Sequence, residues 1–161
     1  MRQFYKCGLP VFFLLLLFFT GCGQNQAEDI PSDLMAAIDS FYATIETDDI
    51  EARIALFSDE ALMLPNHWGI SQGRKTIGDG LRSGEGWVFK LRDRKLVDMD
   101  VNGSLAYTVN SYDYTYHAEG AEPQWHKTKN VHIWKRDATG AWKLHVDIWN
   151  SNVPISEFPH E

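Results

Sequence analysis

The hydrophobic period of the chain changes once, and that change fixes the class of fold open to it. Through residues 32–81 apolar side chains recur three and four apart, whereas from Trp87 onward they alternate. Leu34, Ile38, Phe41 and Ile45 make one helical stripe with Asp33, Asp39 and Glu46 on the wet side, and Ser32 stands where a capping residue belongs. Asp48, with Glu51 three residues on, is an aspartate variant of the capping box. It opens a second short helix through Ile50, Ile54 and Phe57, ended by Ser58, Asp59 and Glu60. Residues 61–64 are a brief apolar run stopped by Pro65, and the loop after it carries His67 and Trp68. A third helix over 74–81 is weakened by Gly78 and Gly80, each by about 1 kcal/mol relative to Ala.

Beyond Trp87 the alternation reads as strands. Trp87, Phe89 and Leu91 interleave with Lys90 and Arg92, and residues 105–117, 125–136 and 141–150 follow in the same period. Asn102-Gly103, Glu119-Gly120 with Pro123, and residues 137–140 are the turns. Three helices followed by a meander of long strands is an α+β pattern, with the helices on one face of a strongly curved antiparallel sheet. At 161 residues and 44% hydrophobic content, the chain suits one domain. Its net charge of −7, with no basic cluster, leaves no footprint for a phosphate backbone and excludes nucleic acid as a partner.

The amino terminus is a processing signal. Arg2 and Lys6 precede an apolar run over 11–19, and Thr20-Gly21-Cys22 follows. That run rises only about 14 Å as a helix, against a hydrocarbon core of roughly 30 Å. The ending Phe19-Thr20-Gly21-Cys22 resembles a bacterial lipoprotein lipobox, although Phe19 stands where Leu is usual, and it implies a lipid on the Cys22 sulfur. The alternative is ordinary secretion, with Cys22 an incidental thiol. Cys7 and Cys22 are the only cysteines, so the domain itself has no disulfide and rests on its core. The expected organisation is a signal peptide over 1–21, the lipidated cysteine and a polar tether over 22–30, a domain over 31–154 and a tail over 155–161. The expected location is the bacterial cell envelope, and Gly23 rather than Asp after the cysteine favours the outer membrane.

Three stretches carry a family resemblance. Phe41-Tyr42-Ala43 through Asp49, Ala55-Leu56-Phe57-Ser58-Asp59-Glu60-Ala61, and Gly73-Arg74-Lys75-Thr76-Ile77 resemble the opening of the SnoaL-like and ketosteroid-isomerase-like proteins of the nuclear transport factor 2-like superfamily. Residues 131–136, 140–144 and 147–152 resemble the last hairpin of its exported branch. The resemblance covers about residues 33–154 and implies a cone, in which a bent sheet wraps the long helix and leaves a pocket at the open end. It does not imply the isomerase reaction. The base position of ketosteroid isomerase falls on Leu64, its tyrosine on Phe41, and its protonated acid near Val131 or His132. Tyr42 lies about 100° further around the helix and is not expected to substitute for that tyrosine.

Alternation puts Ala106, Thr108, Asn110, Tyr112, Tyr114 and Tyr116 on one strand face, and Leu105, Tyr107, Val109, Ser111 and Asp113 on the other. The resemblance turns Ala106 and Tyr112 inward, with Asn130, His132 and Trp134 on the next strand and Trp142, Leu144, Val146, Ile148 and Asn150 on the last. The expected ligand pocket is therefore His67, Trp68, Asn110, Tyr112, Tyr114, Trp134 and Asn150, with the two loop residues at its mouth. His132 is the candidate general acid or base, with Tyr112, Asn110 or Asn150 to orient a substrate oxygen. A core histidine satisfied by a neighbouring oxygen is the competing expectation.

No cofactor is expected, and the dispersed histidines, including His145 two residues before Asp147, match no metal motif. Lys143, His145, Asp147 and Trp149 are expected on the convex face, through which many relatives form homodimers. Two classes of function remain: a lipid-anchored cup for a small, partly apolar ligand, and an isomerase, dehydratase or hydrolase built on His132. With no buried carboxylate pair and no recognised base in view, the sequence favours the cup.

Overall fold

The computed structural model describes residues 29–84 and 86–154. The signal, Cys22 and the tether up to residue 28, and the tail over 155–161, lie outside the described residues. In chain order the elements are α1 (Ser32–Glu46), α2 (Ile50–Leu56), β1 (Phe57–Leu64), β2 (Ser71–Gln72), α3 (Arg74–Arg82), β3 (Trp87–Asn102), β4 (Leu105–Ala118), β5 (His126–Arg136) and β6 (Trp142–Ser151). One six-stranded sheet runs β2-β1-β6-β5-β4-β3. Along its centre, α1 buries Leu34, Ile38, Phe41, Tyr42 and Ile45 against Phe57, Ala61, Val101, Ala106, Trp134, Trp142 and Leu144.

The sheet is mixed rather than wholly antiparallel, because β1 pairs in parallel with β6. No hairpin joins these two strands, and alternation has the same period in either direction, so the pattern does not report strand sense. The local expectations shift in three further places. Pro31, not Ser32, precedes the first turn of α1 and no side chain caps it. Asp49, not Asp48, caps α2 by accepting from the Ala52 amide at 3.0 Å, since Asp48 is in the left-handed region at φ 54. Ser58, Asp59 and Glu60 do not end the helix but run on inside β1, where Asp59 pairs with Arg74 and Ser58 Oγ lies 2.9 Å from His145 Nδ1. Gly78 has a packing reason: a Cβ there would come within 3.1 Å of Ile54, so the small residue lets α3 approach α2.

Two irregularities decide which side chains face inward. In β6 the pairing steps from Trp134↔Leu144 to Ile133↔Val146, leaving His145 as an extra residue. A one-residue bulge reverses every later side chain. In β3 the pairing with β4 skips between Arg92 and Lys95, and again between Leu96 and Asp98. The β4–β5 ladder has no such break.

Candidate functional site

Beyond the apolar core formed with Ala106, Trp134, Trp142 and Leu144, the concave face turns polar. Two rows of cross-strand partners build it: Thr108, His132 and Asp147 in one, and Asn110, Asn130 and Trp149 in the next, with the pair Tyr112 and Thr128 beyond. Thr108, Asn110, Thr128, Asn130, His132 and Asp147 are all buried. The helix lays Phe41 and Tyr42 over them, with ring centroids 5.0 and 6.0 Å from that of His132.

His132 Nε2 is 3.2 Å from Asp147 Oδ1 and 2.7 Å from the side-chain nitrogen of Asn130. A proton on Nε2 serves the carboxylate, and the Asn130 amide then turns its oxygen to the same N–H. A proton on Nδ1 would instead set the Nε2 lone pair against the carboxylate. The first arrangement follows, and it leaves Nδ1 as the acceptor. His132 Nδ1 is buried without a hydrogen-bond partner among the described residues, as are Tyr42 Oη, Asn110 Oδ1, Thr128 Oγ1 and Trp134 Nε1 around it and Arg53 Nε in α2. Each such group costs about 1–3 kcal/mol when left unsatisfied, so their gathering on one face is a layer suited to polar partners.

Burial pushes the Tyr42 phenol up to about 12; the Asn130 amide tempers that rise without completing a hydrogen bond, and the Asp147 carboxylate adds to it. Burial likewise raises Tyr112 well above its usual range, with Asp147 the next cause. Both stay protonated donors at neutral pH. Arg53, buried in α2, is lowered by burial and held up by Asp48 and Asp147, so it is a counter-charge on the helix side of that carboxylate.

A model of the SnoaL-like domain matches residues 34–150. The chain belongs to the SnoaL-like family. Solved structures agree on the fold. A ketosteroid isomerase-like protein from Erwinia carotovora atroseptica superposes with a TM-score of 0.68 at 15% identity, covering 76% of this chain and 96% of that one. A candidate dehydratase of the nuclear transport factor 2-like family from Streptomyces avermitilis gives 0.60 at 17%, covering 76% and 96%. A nuclear transport factor 2-like protein with a cystatin-like fold from Novosphingobium aromaticivorans gives 0.58 at 15%, covering 75% and 80%. A comparison with curated proteins finds no match.

Of the residues singled out from sequence, this SnoaL-like domain brings Asn110, Tyr112, His132 and Trp134 together on the concave face. Tyr114 sits at the rim under Val153 and donates to Ser151 Oγ at 3.3 Å. His67 does not line the interior; its Nε2 is 3.3 Å from the Val153 carbonyl, so it helps hold the C-terminal segment across the rim. Trp68 is 49% exposed. Asn150, expected in the pocket, lies on the outer face beside Val109, Val131 and Ile148, because the bulge at His145 reverses the strand. The same bulge corrects Val146 and Ile148 to the outside, and Asp147 and Trp149 to the inside. It also separates His145, bonded to Ser58, from Asp147.

Two residues were missed: Asp147, and Tyr42, whose ring is buried with its centroid 6.0 Å from that of His132. An isolated carboxylate in the apolar strand around Val146 and Ile148 was the available signal for the first. Among the described residues, no three of His, Cys, Asp and Glu converge, and no helix is long and apolar enough to cross a membrane.

Proposed function

We propose that the concave layer is a small-molecule site where His132, oriented by Asp147, transfers a proton on a hydroxyl- or carbonyl-bearing compound, chemistry of the isomerase or dehydratase type. One observation carries this reading: Nε2 is engaged by a buried carboxylate at 3.2 Å while Nδ1 is buried without a partner. A carboxylate that fixes one ring nitrogen aims the other as a base, the logic of the hydrolase triads. Tyr42, a protonated donor on the same face, is suited to polarise a substrate oxygen. Phe41 and Leu64 supply neither the tyrosine nor the base of ketosteroid isomerase, so the proton route is a different one.

The test is a mass-spectrometric screen of small carbonyl, phenolic and polyketide-like compounds for binding and turnover. His132→Gln should remove about 10² to 10⁴ of the rate with little change in affinity. Binding without turnover in the wild type would leave a non-catalytic cup, and turnover unaffected by His132→Gln would refute the assignment of the base. We propose likewise that the chain is exported and lipid-anchored at Cys22, a reading supported by its sequence alone.

A further inference from the structure

Strand β3 is the free edge of the sheet, and its pairing breaks where Arg94 stands. Asp93 takes φ 55, a left-handed conformation uncommon outside glycine and one that Asp tolerates better than most residues. Bulges of this kind re-aim a side chain. Arg94 is turned across to α1, where its guanidinium carbon lies 4.1 Å from the centroid of the Tyr42 ring and Nη2 is 3.4 Å from Asp39 Oδ1. The Tyr42 ring is the one that faces His132, so Arg94 stands at the border of the concave layer.

The contacts of this guanidinium leave most of its capacity unused. Contact with a ring face engages no N–H donor, the pull of Arg94 on the Tyr42 hydroxyl stops short of a completed hydrogen bond, and the Asp39 contact is long, to a side chain that is 65% exposed. Arg94 itself is 34% exposed, so it reaches both solvent and Tyr42. The interior carboxylate, Asp147, already has a counter-charge in Arg53. Arg94 is thus a second cation beside a buried polar layer with one acid.

We propose that Arg94 is a specificity residue that grips the carboxylate of the ligand, so that the site takes small organic acids whose hydroxyl or carbonyl oxygen points toward Tyr42, Asn130 and His132. A planar guanidinium with in-plane donors matches a carboxylate in a way that a neutral amide does not. The inference rests on the concave layer being the ligand site.

The experiment measures calorimetric affinities of the full chain for matched acid and amide probes: 4-hydroxybenzoate with 4-hydroxybenzamide, and mandelate with mandelamide. The acids should bind about 10- to 100-fold more tightly. Arg94→Gln should bring each pair to near equality by weakening the acid alone. Asp39→Asn, which leaves Arg94 in place and removes a competing carboxylate, should hold or widen the preference, and this arm does not depend on the Arg94 variant folding. Equal binding of acid and amide in the wild type, or an acid preference that survives Arg94→Gln, would reduce Arg94 to a clamp between β3 and α1 while the site stands. Failure of all four probes to bind the wild type would overturn the site and the inference with it.

Discussion

The inner face of the sheet divides in two: around Ala106, Trp134, Trp142 and Leu144 it is an apolar core under α1, and further along the same strands the usual distribution of polarity is inverted. Inside lie Thr108, Asn110, Thr128, Asn130, His132 and Asp147; outside, on the same strands, lie Val109, Val131, Ile133, Val146 and Ile148. The outer residues form two rows four strands wide, Leu62-Val146-Ile133-Tyr107 and Leu64-Ile148-Val131-Val109. A sheet built only for stability would put the second set against α1 and the first in water. The contrast teaches that the polar inner patch and the apolar outer rows are not explained by the stability of a single chain, whereas the apolar part of the inner face is. The inner layer suits a polar guest and the outer one an apolar partner.

The largest expected effect belongs to the outer face. We propose a homodimer joined there, centred on Val131 and Ile148 instead of Lys143, His145 and Trp149. Val131→Lys with Ile148→Lys should raise the dimer dissociation constant by about 30-fold or more, the scale of losing a hot spot of about 2 kcal/mol. Sedimentation reads this directly. Trp149→Ala, on the inner face, should leave association unchanged. A wild-type protein that stays monomeric at high micromolar concentration would leave the outer rows without this explanation.

The inner face makes an opposite and smaller prediction. Thr128 is buried and its hydroxyl has no partner among the described residues, so Thr128→Val should stabilise the fold by about 1 kcal/mol while weakening any polar ligand. Thermal unfolding should show a rise of about 2–4 °C, the scale for a domain of this size. The same change in reverse outside, Val109→Thr, should not stabilise. A loss of stability in Thr128→Val would mean that the inner polar layer serves the fold itself.

How much of this was legible follows the ladders. Where β4 and β5 pair without a break, the residues that alternation groups, Ala106 to Tyr114, and Asn130, His132 and Trp134 lie on the face that the resemblance turned inward. Tyr116, at the strand end, is exposed and stacks on Trp87 at 4.7 Å. In β6 one extra residue at His145 reverses five positions, so Asp147 was read as surface and Asn150 as pocket. Nothing in the spacing of Leu144, Val146 and Ile148 marks the bulge, since apolar residues continue on both sides of it. The breaks in β3 were equally silent, and they place Arg94. Tyr42 was misjudged for another reason: a helical wheel gives its angle from Phe41 but not how far a curved sheet wraps the helix. Sequence periodicity therefore located the helices and strands and the family resemblance implied the cone, while its chemistry depends on irregularities that pairing reveals.

The smallest expected effect tests how α1 is fastened over the inner layer. Arg136 donates to both Asp33 oxygens, at 2.7 and 3.2 Å, and Trp142 Nε1 donates to one of them at 3.2 Å. The Arg136 bond is the main reason the Asp33 carboxyl lies below its ordinary 3.8. A group whose pKa is depressed on folding contributes stability above its unfolded value, and that contribution is lost as pH falls through the folded value. The affected window therefore opens just below about pH 4, and neutral pH lies outside it. The carboxylate is exposed, so solvent screening keeps the effect small. The melting temperature of Asp33→Asn should fall less steeply than that of the wild type below about pH 4. Glu51, Asp79 and Asp137, which Arg82, Lys75 and Thr139 also depress, should preserve the rest of the slope. Because the clamp lies at the start of α1, the variant should bind inner-face ligands normally at neutral pH. A weaker ligand affinity there would show that the polar layer depends on how the first turn of α1 is held, and the two faces could no longer be treated as independent.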